Sequence, residues 1–297
     1  MRKTAFIAIV GRPNVGKSTL MNALLGEKVV IVSSKPQTTR NRIMGVLTKG
    51  ENQFVFLDTP GIHKPRTKLG SYMMKSVRTS MGSADAVILL ADAGHSPGTV
   101  ERNVMRQIEE SGLPAMLVLN KVDLYQREQL AKTIAEYAAL YDFAAFVPVS
   151  ALKGKNVDVV LSEAEKFLYA SDWMFEADML TDQPERQVAA EFIREKLLRT
   201  LSEEIPHGVA VVIEEFKETE GLISIRAEIF CERESHKGII IGKNGQTLKL
   251  IGSRAREDLE NFFGTKVYLN LWVKVKENWR DSDFYLHDFG YNPKNLE

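Results

Sequence analysis

Eight residues, 11–18, reading GRPNVGKS, constrain this chain more than any other stretch. They lie between an apolar run, residues 6–10, and a helix-forming segment, residues 19–25. A glycine-rich turn from a buried strand into a helix exposes successive backbone N–H groups beside the positive helix end, and that cradle fits a polyphosphate. Gly11, Asn14, Val15, Gly16 and Thr19 supply the wrapping backbone. Lys17 is placed to reach the outer phosphates and act in catalysis, and the Ser18 hydroxyl to hold Mg²⁺.

The rest of the first half extends this strand-to-helix unit. Apolar runs at 43–48, 53–58, 86–91, 114–119 and 145–149 alternate with helical patterns near 67–82, 98–111, 127–140 and 156–168. The 43–58 pair reads as a hairpin across a four-residue polar turn. The remaining runs are continuously apolar, which predicts a mostly parallel six-stranded sheet with helices on both faces: an α/β P-loop domain over 1–170. Ligands of such sheets sit at the carboxyl ends of the strands.

Residues 171–185 are acidic, break the alternation and read as a linker. A second, α+β domain is expected over 186–276, in the order helix, strand, strand, short helix, helix, strand. The tail 277–297 is aromatic and turn-rich, and packing as irregular structure on or beside the second domain is expected. Charge divides unevenly, with 22 basic and 15 acidic side chains in 1–170 against 17 and 24 in 171–297. Bulk charge alone would place any polyanionic partner on the first half.

Three further stretches narrow the ligand. Asp58-Thr59-Pro60-Gly61 ends a strand, where the carboxylate can hold Mg²⁺ through a water and the Gly61 N–H can sense a γ-phosphate. Asn120-Lys121-Val122-Asp123 follows another strand, and the Asp123 carboxylate can accept from N1–H and the exocyclic amine of guanine together. The Lys121 stem can cover the base. Ser150 and Ala151 end the last strand, with a backbone N–H placed for guanine O6. The series points to GTP and GDP, and Asn120-Lys121-Val122-Asp123 argues against a kinase.

In the second domain, Gly242-Lys243-Asn244-Gly245 lies between an apolar turn and an amphipathic helix. A GxxG loop in that setting is the signature of a KH domain, whose loop clamps a single-strand backbone while a groove reads about four bases, and the element order matches the bacterial, type II arrangement. From 233 to 256 there are six basic residues, including Lys237, Lys243 and Lys249, against Glu234 alone. A basic stripe of this kind steers RNA within an acidic domain.

Taken together, the motifs resemble two families. The first half is similar to the translation-factor-type GTPases of the Ras-like fold. The whole chain, through GRPNVGKSTL, PQTTRNRI, DTPGIHKP, NKVD, SALKG, the IREKLLRTLSEEIP helix, IIIGKNGQTLKLIG and YLNLWVKVKENWR, resembles the Era family of bacterial ribosome-assembly GTPases. The resemblance implies a GTP-hydrolysing switch that binds the 3′ end of small-subunit ribosomal RNA, with the small ribosomal subunit as partner and peripheral contact with the membrane. It makes residues 32–40 the first switch, with Thr39 joining Mg²⁺ and Thr38 close behind. Ile62 stands where Ras-like enzymes carry a water-orienting glutamine, so slow intrinsic hydrolysis is expected. Asn14 resembles the asparagine that helps bind K⁺ beside the phosphates in some bacterial GTPases; the alternative is that it only turns the loop. An RNA-binding scaffold that scarcely hydrolyses GTP is the rival reading.

The lone cysteine, Cys231, reads as a core residue in a reducing compartment. The five histidines lack metal-ligand spacing, and no apolar run is long enough to span a bilayer. A cytoplasmic monomer is the expectation.

Overall fold

Continuous apolar runs require cover on both faces, and the strands of the first half receive it. The computed structural model describes residues 1–291. Its first half runs β1 (Lys3–Val10), α1 (Lys17–Leu25), β2 (Ile43–Lys49), β3 (Asn52–Asp58), α2 (Lys68–Gly82), β4 (Ala86–Asp92), α3 (Thr99–Ser111), β5 (Ala115–Asn120), α4 (Arg127–Ala138), β6 (Ala145–Pro148), α5 (Val157–Ala164) and β7 (Tyr169–Ala170). The strands order as β2-β3-β1-β4-β5-β6. Only β2 on β3, and the two-residue β7 on the start of β1, pair antiparallel. Alternate side chains feed two cores: Ile7, Ile9, Ile88 and Leu90 pack under α1 and α5, while Ala8, Val10, Val87 and Leu89 pack under α2, α3 and α4.

The acidic stretch after β7 is a strap along the sheet. Gln53 Oε1 accepts from the N–H groups of Met174 and Phe175 at 2.9 and 3.1 Å, and its amide donates to the Phe175 carbonyl at 2.9 Å. Val46 N–H donates to the Leu180 carbonyl at 2.9 Å. These bonds fix where the next helix starts.

The second half continues as α6 (Glu185–Thr200), β8 (Ala210–Thr219), β9 (Leu222–Cys231), α7 (Glu234–Ile241), α8 (Gln246–Phe263), β10 (Lys266–Val275) and α9 (Asp283–Asp288). Its sheet is ordered β10-β9-β8, with β9 antiparallel to β8 and parallel to β10. α6 is buried on every side over residues 192–198. Val188, Phe192, Ile193 and Leu197 join the core of this domain, Arg194 and Glu195 are buried against the first domain, and the buried Lys196 pairs with Glu195 and with Asp258 of α8. Cys231 is buried in the same core.

One expectation fails here: the tail is not irregular. Ser282 accepts from the Tyr285 N–H and caps α9, so Leu286, Phe289 and Tyr291 join Trp279 in an aromatic cluster. That cluster packs against Ala210 and Phe230 of the second domain and against Leu69, Tyr72 and Met73 of α2. Residues 292–297 of the expected tail lie outside the described residues.

Candidate functional site

The turn at residues 11–18 works because two of its glycines have no room for a side chain. A Cβ on Gly11 would fall 2.3 Å from the Leu90 carbonyl oxygen, and one on Gly16 would fall 2.3 Å from the Asn120 amide nitrogen. Both adopt positive φ, at 154° and 101°. Lys17 is folded into the cradle, donating to the Gly11 and Arg12 carbonyls at 3.3 and 2.9 Å. Burial lowers its pKa to about 8 despite the opposing pull of Asp58.

Three oxygens converge beside it. Ser18 Oγ donates to Asp58 Oδ2 at 2.7 Å, Thr39 Oγ1 donates to the same oxygen at 3.1 Å, and the two hydroxyls lie 3.0 Å apart. Burial raises the Asp58 pKa, against Lys17 and the two hydroxyls. Asp58 Oδ1 is buried with no hydrogen-bond partner among the described residues. Hard oxygen donors with one unsatisfied carboxylate oxygen suit Mg²⁺, directly or through its water. Thr38 lines the same cradle, but its hydroxyl is turned to the Lys35 carbonyl at 2.6 Å and not to these oxygens.

The Gly61 backbone lies against Pro13, where a Cβ would approach within 2.7 Å, and the following Ile62 N–H donates to the Gly11 carbonyl at 3.1 Å. The Ile62 side chain packs on the core under α2. Asn14 holds a left-handed φ of 63° and borders both the phosphate cradle and the neighbouring cleft.

That cleft, of about 390 Å³, is lined by Asn120, Lys121, Asp123 and Ser150, with the exposed Leu124 and Leu152 at its edge. Asn120 acts as a tie between loops: its amide donates to the Val15 carbonyl at 2.8 Å and its Oδ1 accepts from the Ala151 N–H at 3.0 Å. Lys121 is held by Asp92 at 2.9 Å. Burial works against the Asp92 charge, but Lys121, the Gly94 N–H, Tyr125 and His95 bring its pKa down to about 2. The Ser150 hydroxyl and Lys153 likewise hold Asp123 below the usual carboxylate range, so it stays an acceptor at neutral pH. Thr19 borders both the cradle and the cleft.

A second cavity of about 560 Å³ lies between α8 and β10, lined by Gly245, Lys249, Gly252, Arg256, Tyr268 and Leu271 among others. Its loop takes positive φ at Gly242, Asn244 and Gly245, and a Cβ on Gly242 would collide with Thr247. Lys243 and Asn244 are exposed at the tip. Lys237 pairs with Glu234 at 4.0 Å and does not line the groove.

The residues that local pattern missed lie between the domains. Arg40 is buried, donating to the Val209 and His207 carbonyls at 2.7 and 3.0 Å and to the Tyr291 hydroxyl at 3.3 Å. Burial lowers its pKa, and among the described residues no carboxylate pairs with it. Arg194 donates to the Thr38 carbonyl, Glu195 accepts from the Val32 N–H at 2.9 Å, and Ile31 is buried in the core of the second domain. PQTTRNRI marks this stretch in the sequence, but nothing in it gives the partner.

A nucleotide cradle, a guanine-type cleft and three convergent Mg²⁺-type oxygens on a doubly covered sheet define a P-loop GTPase, here joined to a KH domain. Comparison with known proteins agrees. Residues 6–121 match the 50S ribosome-binding GTPase family and residues 204–280 the KH domain family. The chain belongs to the GTPase Era family: it is 50% identical over 290 residues to GTPase Era of Ruminiclostridium cellulolyticum, covering 97% of each chain. It is 49% identical over 298 residues to that of Clostridium botulinum strain Hall, covering 100% of each. Among solved structures, Era in complex with MgGDPNP and nucleotides 1506–1542 of 16S ribosomal RNA superposes with a TM-score of 0.94 at 41% identity, covering 98% of this chain and 100% of that one. An Aquifex aeolicus Era variant bound to GDP·AlF4⁻ matches with the same TM-score and identity, covering 98% and 99%.

Proposed function

We propose that this GTPase is a cytoplasmic monomeric switch that binds the 3′ end of small-subunit ribosomal RNA in its KH groove and assists assembly of the small ribosomal subunit. Binding to RNA of that kind is what the solved relative displays. Ser18, Thr39 and Asp58 would hold Mg²⁺, which would neutralise charge on the β- and γ-phosphates. Lys17 leaves the Gly11 and Arg12 carbonyls for the phosphates, Asp123 selects guanine, and the Gly61 N–H faces the γ-phosphate. Gly242, Lys243, Asn244, Gly245 and Lys249 form the RNA clamp, with Lys237 contributing long-range charge. Asn14 would help hold K⁺ beside the phosphates, where the ion would supply the charge stabilisation of an arginine finger, while Ile62 has no group to orient the attacking water. Peripheral membrane contact belongs to the same reading; among the described residues no helix is long and apolar enough to cross a membrane.

The observation that carries this reading is the anchoring of the switch loop at both sides, with Thr39 on Asp58 and its neighbours on α6 and the 207–209 turn. Nucleotide state thereby reaches the domain that holds the groove. Ile62, half-buried against the core and without a group to orient water, favours the second reading, a nucleotide-sensing scaffold with negligible hydrolysis. Single-turnover hydrolysis and binding to a 3′-end RNA, each measured with and without small subunits, separate the two. The switch predicts RNA affinity that differs between GTP-analogue and GDP forms, and hydrolysis raised by the subunit. Subunit-independent, negligible turnover supports the scaffold.

A further inference from the structure

The outer face of the KH sheet carries a line of side chains of which only Tyr268 borders the groove among the described residues. Leu269, Leu271, Val273 and Val275 of β10 pack toward the domain core. Strand alternation therefore places Lys266, Tyr268, Asn270, Trp272 and Lys274 on the opposite face. Tyr268 is 61% exposed and Trp272 57% exposed. β10 is an edge strand, and Arg226 of β9 stands beside Asn270 on the same face. At one end this face is covered, because Phe230 stacks on Phe289 and Ala210 packs in the tail cluster. The cover stops short of Tyr268 and Trp272, which have no ring contact among the described residues.

Lysines on an exposed edge strand have an ordinary role, since they discourage pairing with another chain. That accounts for Lys266 and Lys274. It does not account for two large aromatics between them, each more than half exposed. The cations of this face are partly paired: Lys274 with Glu228, which stands beside Trp272, and Arg226 with Glu215 at 3.8 Å. With Lys266 they still outnumber those two acids, and exposed rings on such a face match the chemistry of single-stranded nucleic acid, any base of which stacks on a ring. Tyr268 also lines the groove between α8 and β10, so the two surfaces meet at one residue.

We propose that the outer face of β10 is a second RNA-contact surface, on which a single strand leaving the GxxG groove crosses the sheet edge and stacks on Tyr268 and then Trp272. The two positions are about 13 Å apart along the strand. The inference rests on the reading of the groove as an RNA site and adds the path beyond it.

The test compares two RNAs with the full-length protein by fluorescence anisotropy: one of about four bases, enough for the groove, and one of about twelve. Trp272→Ala should weaken the longer RNA about tenfold, the scale of one lost stacking partner, and leave the shorter one unchanged. Trp272→Phe should recover most of that loss, because it restores a ring without the indole N–H. Lys243→Asp with Asn244→Asp should weaken both RNAs. Wild-type binding of the longer RNA by Trp272→Ala overturns the proposal, as does an equal loss for both RNAs, which would be a folding defect. If Trp272→Ala instead abolishes self-association in sedimentation while sparing both RNAs, the face belongs to a second copy of the chain and the proposal falls. Undiminished binding of the short RNA by the loop double variant overturns the groove reading, a result separable from failure at Trp272.

Discussion

Thr39 and Arg40 are consecutive residues bound to different domains: the Thr39 hydroxyl donates to Asp58 at 3.1 Å, and the Arg40 guanidinium donates to the Val209 carbonyl at 2.7 Å. A shift of Thr39 on nucleotide loss must pull on Arg40 or break its bonds, because only two soft dihedrals per residue separate them. Arg40→Ala would leave the His207 and Val209 carbonyls without their donor and should cost about 3 kcal/mol. Arg40→Lys should recover part of this, since one ammonium lacks the planar fork that reaches both carbonyls. Urea denaturation measures the stability. The ratio of RNA affinities in GTP-analogue and GDP forms measures the coupling, and it should fall toward one in Arg40→Ala.

Asp123 sets base identity. Its carboxylate is held ionised by Ser150 and Lys153, so it accepts and never donates at neutral pH. Asp123→Asn replaces one acceptor oxygen with a donor, which should weaken GTP and turn preference toward xanthosine nucleotides. Competition between GTP and xanthosine triphosphate reads the outcome, and unchanged GTP preference would remove the guanine assignment.

Asp92 supports that cleft from behind by holding Lys121. Its pKa is lowered from an ordinary 3.8 to about 2 in the fold, so its stabilising contribution is fully present above about 3.8 and is lost as pH falls toward 2. Asp92→Asn should therefore lower the urea midpoint at neutral pH, with the difference from wild type closing on acidification through that window. GTP affinity should fall in the same variant, because Lys121 loses the partner that fixes it over the cleft.

Legibility in the sequence followed the distance over which each residue acts. Gly11, Gly16 and Lys17 shape one turn, Asp58 and Asn120 end their own strands, and Gly242 and Gly245 bend their own loop, so short patterns carried them. Arg40, Arg194 and Glu195 act across chain separations of more than 150 residues, and their charge reads locally as an exposed face. On α6 the two readings conflict, because apolar and charged sides are both buried, one in the KH core and the other on the switch loop. The tail misled for a related reason. Its aromatic residues look irregular until Trp279, Phe289 and Tyr291 are set against one another and against α2.

Asn14 allows the cation reading to be tested without disturbing the loop. It holds φ 63°, a conformation that asparagine tolerates and glycine adopts freely, whereas alanine would add strain. Asn14→Gly therefore removes the amide oxygen while keeping the turn. If that oxygen helps bind K⁺ beside the phosphates, wild-type single-turnover hydrolysis should be faster in K⁺ than in Na⁺ at matched ionic strength. The variant should show one slow rate in both salts. GTP affinity should stay close to wild type, because Lys17 and the backbone N–H groups that face the phosphates are untouched. Equal wild-type rates in the two salts would leave Asn14 as a turn residue only, with the missing catalytic group to be sought on a partner.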